Sequence, residues 1–124
     1  TGLINSGIQY RSIIKKKIIG YQADIGKGYW GDIYDEHRRG KLISGDTKEL
    51  YKDFKDDDWH TYKIICKGNH HQLYINDFLV ADYTEKDKNI PSKGVIALQL
   101  HSGGIAKMEY KNIQIKELKA TDIK

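Results

Sequence analysis

GYQADIGKGYWGDIYDEHRR, Gly20 to Arg39, is the stretch around which the chain is arranged. It packs three tyrosines, a tryptophan, a glutamine, four carboxylates and two arginines into twenty residues, with four glycines and no proline. From Ile19 the alternation Ile19, Tyr21, Ala23, Ile25 against Gly20, Gln22, Asp24 has the period of two that marks a half-buried strand. Gly26-Lys27-Gly28 then reads as a turn, and Tyr29 to Tyr34 as a returning strand rich in β-favouring aromatics. Gln22 and Asp24 therefore share a face.

The same turn spells G-x-G-x-x-G at Gly26, Gly28 and Gly31. That pattern holds a dinucleotide only where a strand runs into a helix whose N-terminus meets the pyrophosphate. Trp30 to Tyr34 carries no helical apolar stripe, so the cofactor reading is set aside.

Outward from this hairpin the pattern stays β. Gly7 to Ile14 alternates, and Leu42 to Ser44 reads as a short strand. Thr47 to Asp58 reads as a loop with at most one helical turn, its Asp56-Asp57-Asp58 a solvated turn because no loop of cation-ligand spacing surrounds it. Trp59 to Lys67, His70 to Ile75 and Phe78 to Tyr83 follow as a meander joined at Gly68-Asn69 and Asn76-Asp77. His70 and His71 fall on opposite faces of their strand and read as exposed hairpin residues. Gly94 to His101 reads as a strand with Ile96, Leu98 and Leu100 on an apolar face. The other face runs from Val95 and Ala97 to Gln99 and His101, which fits either the floor of a cleft or a solvent-facing strand end. After a turn at Ser102-Gly103-Gly104, Ala106 to Leu118 closes the chain with a register slip near Asn112 that predicts a bulge.

About eight strands, no helix and frequent turns predict an all-β antiparallel sandwich. At 124 residues the chain is one domain, expected over 1–118, with 119–124 as a flexible tail. Twenty-one basic and 17 acidic residues leave a formal charge of +4, but both signs are spread along the chain. A nucleic-acid surface needs clustered cations, so no such partner is expected. There is no apolar run long enough to span a membrane. The single cysteine, Cys66, excludes an internal disulfide and reads as a buried, inert thiol.

Several segments resemble one family in the family's order: Asn5 to Arg11 (NSGIQYR), Gly20 to Gly26 (GYQADIG), Trp30 to Glu36 (WGDIYDE), the strand beginning at Trp59, Leu73 to Asp77 (LYIND), Gly94 through Leu98-Gln99-Leu100-His101-Ser102-Gly103, and Lys111 to Ile115 (KNIQI). Together they resemble the 3-keto-disaccharide hydrolase domain family. The resemblance implies a jelly-roll sandwich like that of concanavalin A-like lectins and glucanases, and a domain that ordinarily begins several strands earlier. On that expectation this chain lacks N-terminal strands and has an uncovered sheet edge open to self-association. A periplasmic or extracellular location is also implied by the resemblance alone.

The implied chemistry acts on glycosides whose C3 hydroxyl has been oxidised to a ketone. The ketone acidifies the C2 hydrogen, a base removes it, the glycosidic oxygen leaves C1, and water adds to the resulting enone. Candidate proton-transfer residues are Asp24, His101 and Glu36, with Asp24 preferred because it shares a strand face with Gln22. Arg11, Tyr21, Gln22, Trp30, Tyr34, Asp35, Arg38 and Gln99 are the candidate substrate-binding residues. The alternative for Asp35 to Arg39 is a salt-bridged loop. A divalent cation held by Asp24, Glu36 and His101 is conceivable, but no ligand spacing demands one. The competing function is a sugar-binding module without a poised base. A retaining glucanase is disfavoured, because the E-x-D-x-x-E strand signature is absent.

Overall fold

The computed structural model describes residues 5–100 and 107–118. His101, the turn at 102–104 and the tail from 119 lie outside the described residues.

Among the described residues the strands are β1 (Ser6–Ile14), β2 (Ile18–Ile25), β3 (Ile33–Glu36), β4 (Gly40–Ile43), β5 (Tyr62–Lys67), β6 (His70–Ile75), β7 (Phe78–Thr84) and β8 (Val95–Leu100), with one 3₁₀ turn at Leu50–Asp53. They form two antiparallel sheets, a five-stranded one in the order β4-β3-β2-β1-β8 and a three-stranded one in the order β5-β6-β7. The chain is an all-β sandwich.

Register explains which side chains meet. Opposite residues of an antiparallel pair point to the same face, and β1 and β2 pair Ile8 with Ala23, Gln9 with Gln22 and Tyr10 with Tyr21. β3 continues the rows with Ile33 opposite Ala23 and Tyr34 opposite Gln22. The inner face of the five-stranded sheet thus carries Tyr10, Tyr21, Ala23 and Ile33. These pack on Leu73, Ile75, Val80 and Ala81 of the smaller sheet. Ile33, Leu73 and Ile75 are fully buried, each worth about 1.5–3 kcal/mol of apolar transfer. The outer face carries Gln9, Gln22 and Asp24.

β1 is bulged at Arg11, where its register slips against both neighbours and φ reaches +46°. The irregularity turns Arg11 toward the β5–β6 turn, and its guanidinium donates to the Gly68 carbonyl at 2.6 Å.

Several expectations need correction. The strand foreseen from Tyr29 starts only at Ile33, because Tyr29 to Gly31 winds a tight turn in which Tyr29 and Trp30 both donate to the Gly26 carbonyl. The strand foreseen from Trp59 starts at Tyr62. Residues 107–118 join no ladder, so the described part of the closing strand is irregular, with Asn112 at φ +54°. Ile96, Leu98 and Leu100 do share a face, but each remains about half exposed (52%, 48% and 53%). Among the described residues β8 is the outermost strand of its sheet and the three-stranded sheet ends at β5, and the apolar trough between them is also lined by residues from 107–118. His71, expected in solvent, is fully buried, while Cys66 is only half-buried.

Candidate functional site

The outer face of the five-stranded sheet holds a polar cluster in two rows. One row runs Gln99 on β8, Gly7 on β1 and Asp24 on β2. The other runs Gln9 on β1, Gln22 on β2, Tyr34 on β3 and Lys41 on β4. Glu36 sits opposite Gly20 on the same face. Alternation alone puts these groups on one side of the sheet.

Asp24 is the centre. Only 2% of it is exposed, and its Oδ1 accepts a hydrogen bond from Gln22 Nε2 at 2.8 Å. The same Gln22 nitrogen reaches Gln99 Oε1 at 3.1 Å. Burial pushes the Asp24 carboxyl up to about 8, helped by the negative charges of Glu36 and Asp32, while the Gln22 hydrogen bond and Lys41 act in the opposite sense. A carboxyl that titrates near neutrality inside a protein is suited to exchange a proton with a bound molecule. Tyr34 is half-buried, and its phenol is held protonated by burial and by the neighbouring Asp24.

Asp24 is also fixed through its backbone. Its N–H donates to the Asp32 carbonyl at 3.0 Å, and its carbonyl accepts from Gly31 N–H and from the Tyr62 hydroxyl of the other sheet. Asp32 in turn accepts from Gly45 N–H at 2.7 Å, and Lys41 lies 3.4 Å from its second oxygen. The Gly26–Gly31 turn and the loop after β4 therefore brace the strand that presents Asp24.

The other candidate residues are placed elsewhere. Tyr21 lies on the inner face and donates to Glu85 Oε1 at 2.6 Å. Asp35, opposite Tyr21, is fully buried and held by both Arg38 and Arg39, so the salt-bridged alternative describes this loop. Arg39 continues to Glu85 with two contacts of 2.6 and 3.0 Å. Trp30 is buried, edge-on against Phe54 and His60, and its indole donates to Asp56 Oδ1 at 2.7 Å. Neither Tyr21 nor Trp30 offers a face to a sugar. Arg11 points to Gly68. The structure thus brings together Asp24, Gln22, Gln99, Tyr34 and Glu36, and separates them from Tyr21, Asp35, Arg38, Trp30 and Arg11. His101 lies outside the described residues.

Sequence reasoning missed Gln9 and Lys41, which a two-residue count along each strand could have found once pairing was known. It also missed the inner network of Tyr10, His71, Glu85 and Arg39. His71 Nδ1 pairs with the Tyr10 hydroxyl at 3.0 Å, and its ring meets Tyr21 edge-on. Burial pushes His71 down to about 4. Arg39 and then Tyr21 hold Glu85 down to about 2.

Asp24 and Glu36 are the described members of the conceivable cation set, and among the described residues no three ligating side chains converge. Nor, among the described residues, is any helix long and apolar enough to cross a membrane.

The family model described as a 3-keto-alpha-glucoside-1,2-lyase-like domain matches residues 1–116. No curated protein matches the chain. With nearly its whole length matched, the chain belongs to the 3-keto-alpha-glucoside-1,2-lyase-like domain family.

Proposed function

We propose that this member of the family cleaves 3-keto-glycosides, with Asp24 as the base that removes the C2 proton. The observation that carries the reading is the buried Asp24 carboxyl, pushed up to about 8 and aligned by an amide on a polar sheet face. The reaction starts with the ionised form of Asp24. It takes the hydrogen at C2, the C2–H electron pair becomes the C1=C2 bond, and the glycosidic oxygen leaves C1 with its bonding pair. The leaving oxygen collects a proton, which regenerates an alcohol, and addition of water across the enone yields the free 3-keto sugar.

The neighbours supply the remaining roles. Tyr34, whose phenol stays protonated, is the acid for the leaving oxygen. Lys41 supplies positive charge for the enolate that develops on the ketone oxygen. Gln99, half-buried beside Asp24, hydrogen-bonds a sugar hydroxyl. Gln22 aligns Asp24, its amide nitrogen being committed to Asp24 and Gln99.

A sugar-binding module is the weaker reading. Of the aromatics expected to stack on a sugar, Tyr21 and Trp30 are buried away from the polar cluster. The test is to incubate the protein with 3-keto-trehalose in D₂O. The expected result is free 3-keto-glucose carrying deuterium at C2, with unoxidised trehalose untouched. Cleavage of unoxidised trehalose, or release of free 3-keto-glucose that still carries protium at C2, would contradict proton abstraction.

A further inference from the structure

Gly7 occupies the place in the Gln99–Gly7–Asp24 row where any other residue would set a side chain between the two polar groups. A Cβ built there would stand 2.5 Å from Gln22 Cγ, 2.6 Å from its Nε2 and 2.7 Å from its Cδ. Carbon atoms do not approach that closely. The Gln22 side chain therefore lies in the space that residue 7 leaves empty. From there it crosses β1, touching Asp24 of its own strand with one hydrogen bond and Gln99 of β8, two strands away, with another.

We infer that Gly7 is a positioning residue for Asp24, acting through Gln22. The inference rests on the reading of Asp24 as the base and adds the device that aims it. Gly7 is the second residue of β1 and is paired with a neighbour on both sides, a place where glycine lacks packing and is entropically unfavourable. It does not adopt a left-handed conformation, so the backbone itself does not call for glycine here. The atoms in the way of a Cβ all belong to one movable side chain. Alanine at this position would therefore displace the amide and leave the ladder standing.

Among the described residues, the charged and titratable groups around Asp24 are Glu36 and Tyr34 on β3, Asp32 in the turn before it, Lys41 on β4, and Tyr62 on β5 through the Asp24 carbonyl. Among the described residues, Gln22 is the side chain that hydrogen-bonds the Asp24 carboxyl, and that bond favours the ionised form. Its loss moves the carboxyl further from the charged state.

The experiment is a ¹³C NMR titration of the Asp24 carboxyl in the wild type, Gly7→Ala and Gln22→Met. Both variants are expected to titrate higher than the wild type by about one pH unit, the effect of one lost charge-assisted hydrogen bond. If Gln22→Met moves the titration and Gly7→Ala does not, Gly7 is not the positioning residue. If neither moves it, the amide does not hold the carboxylate. A Gly7→Ala chain that fails to fold also contradicts the inference, which requires the obstruction to be a movable side chain. The readout needs no turnover, so it stands apart from the 3-keto-trehalose assay. Where turnover is present, the acid limb of the pH–rate profile moves upward with the carboxyl in both variants.

Discussion

Replacing Asp24 by Asn should stabilise the protein, and by an amount that depends on pH. In the folded chain the Asp24 carboxyl titrates near 8, against an ordinary value of 3.8. A carboxyl whose folded value lies above its unfolded value destabilises the fold as pH rises, because the unfolded chain releases its proton first. Between roughly pH 4 and pH 8 each pH unit therefore costs about 1.4 kcal/mol. The accumulated cost is about 0.6 kcal/mol at pH 4, about 4 kcal/mol at pH 7, and levels off above pH 8 at somewhat under 6 kcal/mol. Asn keeps the oxygen that accepts from Gln22 and carries no proton to lose, so it escapes this cost. Chemical denaturation of both proteins from pH 4 to pH 9 reads the difference directly. The Asp24→Asn variant should be nearly as stable as the wild type at pH 4 and markedly more stable at pH 7. A difference that does not change with pH, or a variant less stable than the wild type at pH 7, would refute the argument that this carboxyl is held neutral by burial.

Three further outcomes follow from the inner network and the strand contacts. Glu85→Gln should destabilise by roughly 2 kcal/mol at neutral pH, less than a fully buried pair because Arg39 is 27% exposed. Glu85 titrates low when folded, so its contribution is present above about pH 5 and disappears as pH falls toward 2, and acid-unfolding curves should converge there. His71→Phe should flatten the loss of stability between pH 6.5 and pH 4. The wild type gives up about 3 kcal/mol in that interval as the unfolded chain gains a proton that the buried ring resists, and thermal melts across it would show the contrast. Gly20→Ala should cost several kcal/mol and lower the melting temperature by roughly 10 °C or more. Its φ of +151° disfavours a side chain, and a Cβ would stand 2.7 Å from Ser12 Cα on the neighbouring strand.

The strands were legible where one face is covered and the other is polar. The alternation of Ile19 to Ile25 names β2 and places Gln22 beside Asp24, and the meander from Tyr62 to Thr84 follows its turns at Gly68-Asn69 and Asn76-Asp77. Alternation reports which residues share a face, but not whether anything covers it. β8 shows the difference, since its apolar face is real and yet half exposed beyond the end of the smaller sheet. Aromatic β-propensity also misplaced the start of β3, because Tyr29 and Trp30 are committed to a turn closed on the Gly26 carbonyl.

Within the site, Asp24, Gln22, Tyr34 and Glu36 were within reach of a residue count, since neighbouring strands carry them. Gln99 was read as either a cleft floor or a solvent-facing end, and its contact with Gln22, 77 positions away in sequence, joins it to the cluster. Glu85 and Arg39 lie 46 positions apart, and no local pattern marks either as the other's partner. The same holds for His71, whose burial depends on Tyr10 and Tyr21 arriving from the opposite sheet. Tyr21 neighbours the sugar-binding candidates in sequence, but its alternation with Gln22 puts the two on opposite faces.

The pH dependence of 3-keto-trehalose cleavage, measured for the wild type and Asp24→Asn, bears most directly on the role of Asp24. A base must be ionised to act, so wild-type turnover should rise about tenfold per pH unit below pH 8 and level off above it, while Asp24→Asn loses roughly a hundredfold or more. Turnover that survives in Asp24→Asn, or a wild-type profile that is flat from pH 6 to pH 9, would contradict the assignment.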